Sequence, residues 1–238
     1  MPKILALETT EKFGSVALLK SRGDGAAQSP DVSVLAEIEL PKDQRSSQTL
    51  HPALQTLFEA TQTSPEEIDT VAVVVGPGSF TGLRVGVTAA KVFAYTVGAK
   101  VIALDTFQTV AAALPTQVGV ISVGVDAQRG EVVAALLRQT ADGKIETVKK
   151  PELIAVADWW NHAEQYEHVL FTGPALERWH AKVPPHLIQA EESYWFPKAA
   201  QAGILAAGRL ASEQSDDVWS LLPIYSRLSA AEEKRNAM

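Results

Sequence analysis

Cysteine is absent from the 238 residues, which excludes a disulfide framework, a thiolate-bound zinc or iron–sulfur cluster and a cysteine nucleophile. Its absence is compatible with a reducing cytoplasm. Long apolar runs are missing too, since none reaches the ~18 residues that a membrane-spanning helix needs. The opening Met1-Pro2-Lys3-Ile4-Leu5-Ala6-Leu7-Glu8 meets an acidic residue too soon for a signal-peptide core and reads as a first strand. The expectation is a cytoplasmic protein with no membrane attachment. Basic charge is also scarce, because 21 basic against 28 acidic side chains leave a net charge of −7. Such a chain has no overall attraction to phosphates, so contact with nucleic acid requires a local basic patch or a more basic partner. The histidines, at 51, 162, 168, 180 and 186, form neither H-E-x-x-H nor a pair four residues apart, so a zinc peptidase has no ligands here. What is present is an ordinary globular composition, 46% hydrophobic and 21% charged. Area scaling gives roughly 10,000 Å² folded against roughly 37,000 Å² unfolded, enough burial for one core or two small ones.

The residue pattern then sets the order of elements. Lys3 to Thr9, Ser15 to Lys20 and Asp31 to Leu40 read as three strands, the last with Val32, Val34, Ala36 and Ile38 on one face. Phe13-Gly14 is the first turn, and Ser21 to Pro30 is a loop. The connections are too short for helical crossovers, so the strands form an antiparallel meander. Apolar residues at helical spacing predict a helix from about Asp43 to Thr61. Thr70 to Val75 is a buried central strand, Thr81 to Val97 a helix closed by Gly98, and Val101 to Leu104 another buried strand. A helix over Phe107 to Leu114 precedes a hairpin of Val118 to Val125 with Glu131 to Leu137. Further pieces are helices at Ala157 to Gln165, Ala175 to Val183 and Ala199 to Glu213, a strand at His168 to Thr172 and a charged tail from Ala230. A meander, then alternating helices and strands, then a second mixed sheet predicts an α/β protein. It is read as two ribonuclease-H-like subdomains, residues 1–116 and 117–238, with mixed sheets flanked by helices and the C-terminal helix in the second. Paired halves of this kind make the actin and sugar-kinase (ASKHA) fold.

The candidate chemistry centres on Gly76, Pro77, Gly78, Ser79, Phe80, Thr81 and Arg84, where a strand feeds a glycine turn into a helix N-terminus. Free N–H groups there suit an anion, but the spacing matches neither phosphate-loop pattern. A tight turn capped by Ser79 or Thr81 is the competing interpretation. On the following helix Arg84, Thr88, Lys91 and Tyr95 share one narrow polar stripe. The rest is apolar or small, which implies burial on more than one side. Glu8 reads either as a metal-directing acid or as a solvated strand-end carboxylate. Asp126, Arg129 and Glu131 cluster in a hairpin turn and either bind a partner or anion or pair among themselves.

Residues 76 to 86, G-P-G-S-F-T-G-L-R-V-G, resemble the bacterial TsaB family, also called YeaZ. Supporting matches are Leu5 to Thr10, Gly14 to Leu18, Gln48 to Pro52, Asp126 to Val132 and Pro223-Ile224-Tyr225-Ser226-Arg227, so the resemblance spans the chain. It departs at Glu8, where the family usually carries Asp, and at Ser46, where His is common. The resemblance implies a non-catalytic scaffold in the synthesis of threonylcarbamoyladenosine on tRNAs that read codons starting with A. It implies pairing with TsaD through the first two helices, joined by TsaE, with ATP or ADP and metal on those partners and no cofactor or metal on this chain. Contact with tRNA would come only through the complex, and a homodimer would form when the partner is absent. Leu50, Leu54, Leu57, Gly82, Gly86, Ala90, Phe93 and Tyr95 are the candidates for the two helical faces. The alternative is an actin-like enzyme, metallopeptidase-like or a small-molecule kinase.

Overall fold

In the computed structural model the described residues are 1–12, 14–22, 31–115, 119–140 and 143–227. Phe13, most of the Ser21 to Pro30 loop, Thr116 to Val118 and the tail from Ala230 lie outside them.

Strands β1 (Lys3–Glu8), β2 (Ser15–Arg22) and β3 (Asp31–Glu39) form the antiparallel meander, followed by α1 (Ser46–Thr61), β4 (Thr70–Gly76), α2 (Phe80–Val97) and β5 (Lys100–Asp105). The first sheet runs β3-β2-β1-β4-β5, with β4 and β5 parallel to β1. After α3 (Thr106–Ala111) the same order is built again from β6 (Val120–Asp126), β7 (Glu131–Gln139), β8 (Ile145–Ala155), β9 (Leu170–Thr172) and β10 (Ile188–Gln189). This second sheet runs β10-β9-β6-β7-β8, again three antiparallel strands beside parallel ones. Helices α4 (Val156–Trp159), α5 (Leu176–Trp179) and α6 (Ala199–Ala211) complete the chain. Two ribonuclease-H-like halves with one topology make the actin-like fold expected from the sequence.

Period-two alternation supplies both faces of the first sheet. Leu5, Leu7, Val71, Val73 and Val75 point to α1 and α2, whereas Ile4, Ala6, Ala72, Val74 and Ile102 point to α6. Helix α6 meets them with Ala199, Ala202, Ala206 and Ala207, and its Gly203 lies against the Leu19 side chain. That placement corrects the sequence reading, which put this helix with the second half. Its small side chains fit it to the closely spaced face of the first sheet. The exchange is mutual, because Phe107, Val110 and Ala111 of α3 join the core of the second sheet, whose centre is Trp159 packed over Gly124.

Further expectations change, among them the helices read over Ala157 to Gln165 and Ala175 to Val183, which shorten to the four-residue α4 and α5. The single apolar face of β3 is split by a bulge, since Ala36 pairs with Leu18 but Val34 with Leu19, leaving Leu35 unpaired. Ala36 and Ile38 therefore face α1, Val32 packs on the α6 side, and Val34 is exposed. Strand β8, the eleven-residue outer edge of the second sheet, went unread in the sequence. It has Lys149, Lys150 and Pro151 in its middle and two irregularities of register against β7, so no clean alternation marks it.

Candidate protein-docking site

Helix α2 leaves β4 through the loop at 76–79, and the loop's glycines are occupied by the chain itself. A Cβ at Gly78 would overlap the carbonyl of Thr10, one at Gly82 the carbonyl of Thr9, and one at Gly86 the Thr9 hydroxyl. The β1–β2 turn thus lies directly on the start of α2. Ser79 N–H donates to the Thr10 carbonyl at 2.6 Å, Gly82 N–H to Ser79 Oγ at 3.3 Å, and Thr9 Oγ1 to the Gly82 carbonyl at 2.8 Å. Ser79 is therefore the N-cap and the tight-turn interpretation describes the loop. Pro77 is anchored by the Thr106 hydroxyl at 2.6 Å.

The same geometry places the expected interface residues. Leu50, Leu57 and Ala90 belong to the core between the helices and the first sheet, and Gly82 and Gly86 are covered by Thr9. As docking side chains these five are corrected: a face that packs on its own sheet is not available to another chain. Leu54 and Phe93 are half-buried, with Phe93 stacked on Phe58 at 5.9 Å between α1 and α2. Tyr95 is 67% exposed and Val92, which the sequence reading passed over, 60%.

The polar stripe also has an internal partner. Residues 216–225 run back along α2 as a strap. Asp216 accepts from Ala103 N–H at 2.7 Å, Leu221 enters the core, and Ile224 N–H donates to the Val75 carbonyl at 2.7 Å. Lys91 Nζ donates to the carbonyls of Trp219 (3.1 Å) and Leu221 (3.2 Å). Arg84 Nε donates to the Tyr225 hydroxyl at 3.0 Å with its guanidinium 4.0 Å above the Phe80 ring. Tyr95 and Trp219 meet edge to face at 5.2 Å. The strap residues were visible in the sequence only as the Pro223 to Arg227 string, which carries no position.

The remaining candidates lie at the end of β1 and on the β6–β7 hairpin. Glu8 is fully buried, not solvated, and burial pushes its carboxyl up to about 8 against the lowering effect of the Thr10 hydroxyl and N–H. Its Oε1 accepts from both at 2.5 Å. Glu11, which sequence reasoning missed, is also pushed up to about 8, first by burial and then by Glu8, Glu177 and Asp126. Asp126 accepts from Gln128 N–H at 2.9 Å and lies 3.5 Å from Arg178, and Glu131 pairs with Arg227. Both carboxylates have partners within the chain. Among the described residues no group of three or more His, Asp or Glu side chains is placed to hold a metal, and no helix is long and apolar enough to cross a membrane. Two concavities, of about 370 and 390 Å³, are lined by other residues, around Trp160 and around Glu37.

The chain matches the family described as TsaD, tRNA N6-adenosine threonylcarbamoyltransferase, over residues 33–233. It is 28% identical over 237 residues to tRNA threonylcarbamoyladenosine biosynthesis protein TsaB of Bacillus subtilis (strain 168), covering 97% of this chain and 96% of that one. Against the protein of the same name from Escherichia coli (strain K12) it is 31% identical over 160 residues, 64% of each chain. A Pseudomonas aeruginosa structure described as uncharacterized, with similarity to peptidase YEAZ, superposes with a TM-score of 0.77 at 19% identity, covering 95% of this chain and all of that one. YeaZ from Pseudomonas aeruginosa gives 0.74 at 20% identity over 94% of this chain and all of that one. At these identities the two structures show a shared fold.

Proposed function

The chain belongs to the TsaD family and, within it, to the TsaB or YeaZ proteins, and on that premise we propose that it is a non-catalytic subunit in the synthesis of threonylcarbamoyladenosine on tRNA. It acts by pairing with the TsaD transferase through the outer surface of α1 and α2, and TsaE joins the pair. Nucleotide and metal chemistry reside on those partners, tRNA is reached only through the complex, and the assembly is cytoplasmic.

The observation that carries this reading is the division of labour on α2. Its loop and inner face are taken up by Thr9, Thr10 and the first sheet, while Val92 and Tyr95 stand out into solvent. A loop whose backbone lies under Thr9, Thr10 and Ile224 is a poor grip for a phosphate. An apolar outer face beside it is what a protein contact uses.

Sedimentation velocity of the pure chain, alone and mixed with TsaD from the same organism, tests the proposal. A heterodimer that replaces monomer or homodimer is expected. Two species that never mix, at concentrations well above cellular ones, would sink it, and saturable nucleotide binding by the isolated chain would favour the kinase alternative.

A further inference from the structure

The concavity of about 370 Å³ around Trp160 is built from the second half alone. One wall is the segment that leaves α4, residues 160–168, and the other is β9 with the approach to β10. None of its lining residues lies on α1, α2 or the strap. Its size suits a small molecule or a single side chain.

The aromatic wall is ordered from within. Trp159 is fully buried and donates from Nε1 to Ser122 Oγ at 3.0 Å. Trp160 stacks on it at 4.7 Å and meets Phe171 of the opposite wall at 5.9 Å. Successive turns brace the segment, because the N–H groups of Asn161, His162, Glu164 and Tyr166 each donate to the carbonyl three residues earlier at 2.9–3.2 Å. The His162 side chain, 3% exposed, is turned toward β8, where it lies 3.6 Å from the Glu152 carboxylate. The Trp160 indole is therefore held in place before anything binds, which removes part of the entropy cost of binding.

The lining selects by charge. Three aromatic rings, Trp160, Tyr166 and Phe171, bring ring faces of negative potential, and the Glu164 carboxylate stands among them. Neither lysine nor arginine lines the cavity, and the sequence has none from 151 to 177 or from 183 to 197, the stretches that build both walls. Lys149, which acts on His162 from β8, is already paired with Glu152 at 3.0 Å. An anion would meet a carboxylate and no counter-charge, whereas a cation gains from both the rings and Glu164. Asn161, His168 and His186 add an amide oxygen and unprotonated imidazole nitrogens that can accept from N–H donors. A planar guanidinium, which stacks on a ring and donates N–H groups at its edge, uses all of these features.

We infer that this cavity binds a guanidinium group on a short aliphatic stem, stacked against Trp160 and paired with Glu164. The site does not depend on the pairing proposed above.

The test is nitrogen–proton correlation NMR of the full chain, following the indole N–H signal of Trp160, which Trp160→Phe identifies by its loss. The probes are butylguanidinium, its uncharged counterpart butylurea and the anion pentanoate. Butylguanidinium at millimolar concentrations should move the Trp160 signal saturably, the range open to so small a ligand. Binding should weaken about fivefold in Glu164→Gln, the scale of one exposed ion pair, and fall as salt rises. Glu164 is exposed, so the variant should melt as wild type does. Unchanged affinity in a folded Glu164→Gln overturns the inference. Butylurea or pentanoate that moves the signal at the same concentrations also overturns it, because charge then selects nothing. A flat response of wild type to butylguanidinium does the same whether or not the variant folds. The peptide acetyl-Gly-Arg-Gly-amide separates two sources of the same chemistry: binding at least as tight as that of butylguanidinium assigns the group to an arginine of another protein, and weaker binding assigns it to a free small cation.

Discussion

Glu8 and Glu11 show how burial changes what a carboxylate does. Each is pushed to about 8, mainly by desolvation, so each holds a proton in the folded protein at neutral pH that it has released in the unfolded chain. A raised carboxylate pKa contributes stability that is full below the unfolded value and is lost as pH rises through the folded one. The buried His162 works from the other side: desolvation lowers its pKa, so folding disfavours its proton and stability is lost as pH falls below its usual value near 6.5. The lowered groups Glu67, Glu152 and Asp217 act only in the acid range, below their ordinary values. Between pH 6.5 and 8 the two glutamates therefore dominate, and stability falls. Urea unfolding at a series of pH values should show that decline, and Glu8→Gln, neutral at every pH, should make it shallower while Glu11 keeps the remainder. A wild-type curve that rises across this window would contradict the uptake of protons by these two buried carboxyls on folding. None of this was legible in the sequence. Glu8 stands at a strand end, where a carboxylate is ordinarily wet, and only the folded structure, which buries it completely, makes the site dry.

At the scale of elements, the join between the β1–β2 turn and α2 is the most sequence-specific piece of packing in the protein. Gly82 is helical, and a methyl group there would meet the Thr9 backbone, which has no rotamer to escape into. Gly82→Ala is expected to destabilise the fold by about 2–3 kcal/mol, the scale of an overpacked core, and to expose Thr9 and Thr10 to amide exchange. Thermal unfolding with hydrogen exchange measures both, and a change under about 0.5 kcal/mol would mean the turn is free to move away. Most elements were readable in advance for a plain reason. Buried parallel strands such as β4 are continuous β-branched runs, and α2 has a capping serine, a helical apolar period and a closing glycine. The edges were harder. β3 and β8 carry bulges, and β8 has Lys149, Lys150 and Pro151, devices that keep an edge from pairing and also erase the period by which a strand is recognised. The β3 and β8 edges are thereby poor surfaces for association.

At the scale of the whole molecule, two sheets of one topology are tied together by crossing elements. Helix α6 crosses to the first sheet, α3 reaches into the second core, and the strap ends in the pair between Arg227 and Glu131 at the β6–β7 hairpin. Lys12 of the first half also pairs with Glu177 of the second. Both ion pairs are partly exposed, so their net worth is on the order of 1 kcal/mol or less. Arg227→Ala should leave the melting temperature nearly unchanged while speeding amide exchange in the 126–131 hairpin and in strap residues 222–226. If exchange is unaffected there, the strap is held without Arg227, by Asp216, Leu221, Ile224 and the hydrogen bonds from Lys91 and Arg84.

The sequence by itself determined the alternation of strands and helices, the two-sheet architecture, the signature loop and the kinship that follows from it, because these rest on local periodicity and on short strings of residues. Tertiary structure alone decided which of the eight helix side chains remain available to another protein, that Glu8 is dry, and that the stripe of Arg84, Lys91 and Tyr95 is already held by residues more than a hundred positions later. The reason is physical. Period and propensity report that a side chain is apolar or small, but whether its neighbour is its own sheet, its own strap or another molecule depends on contacts between distant parts of the chain, which no local pattern encodes.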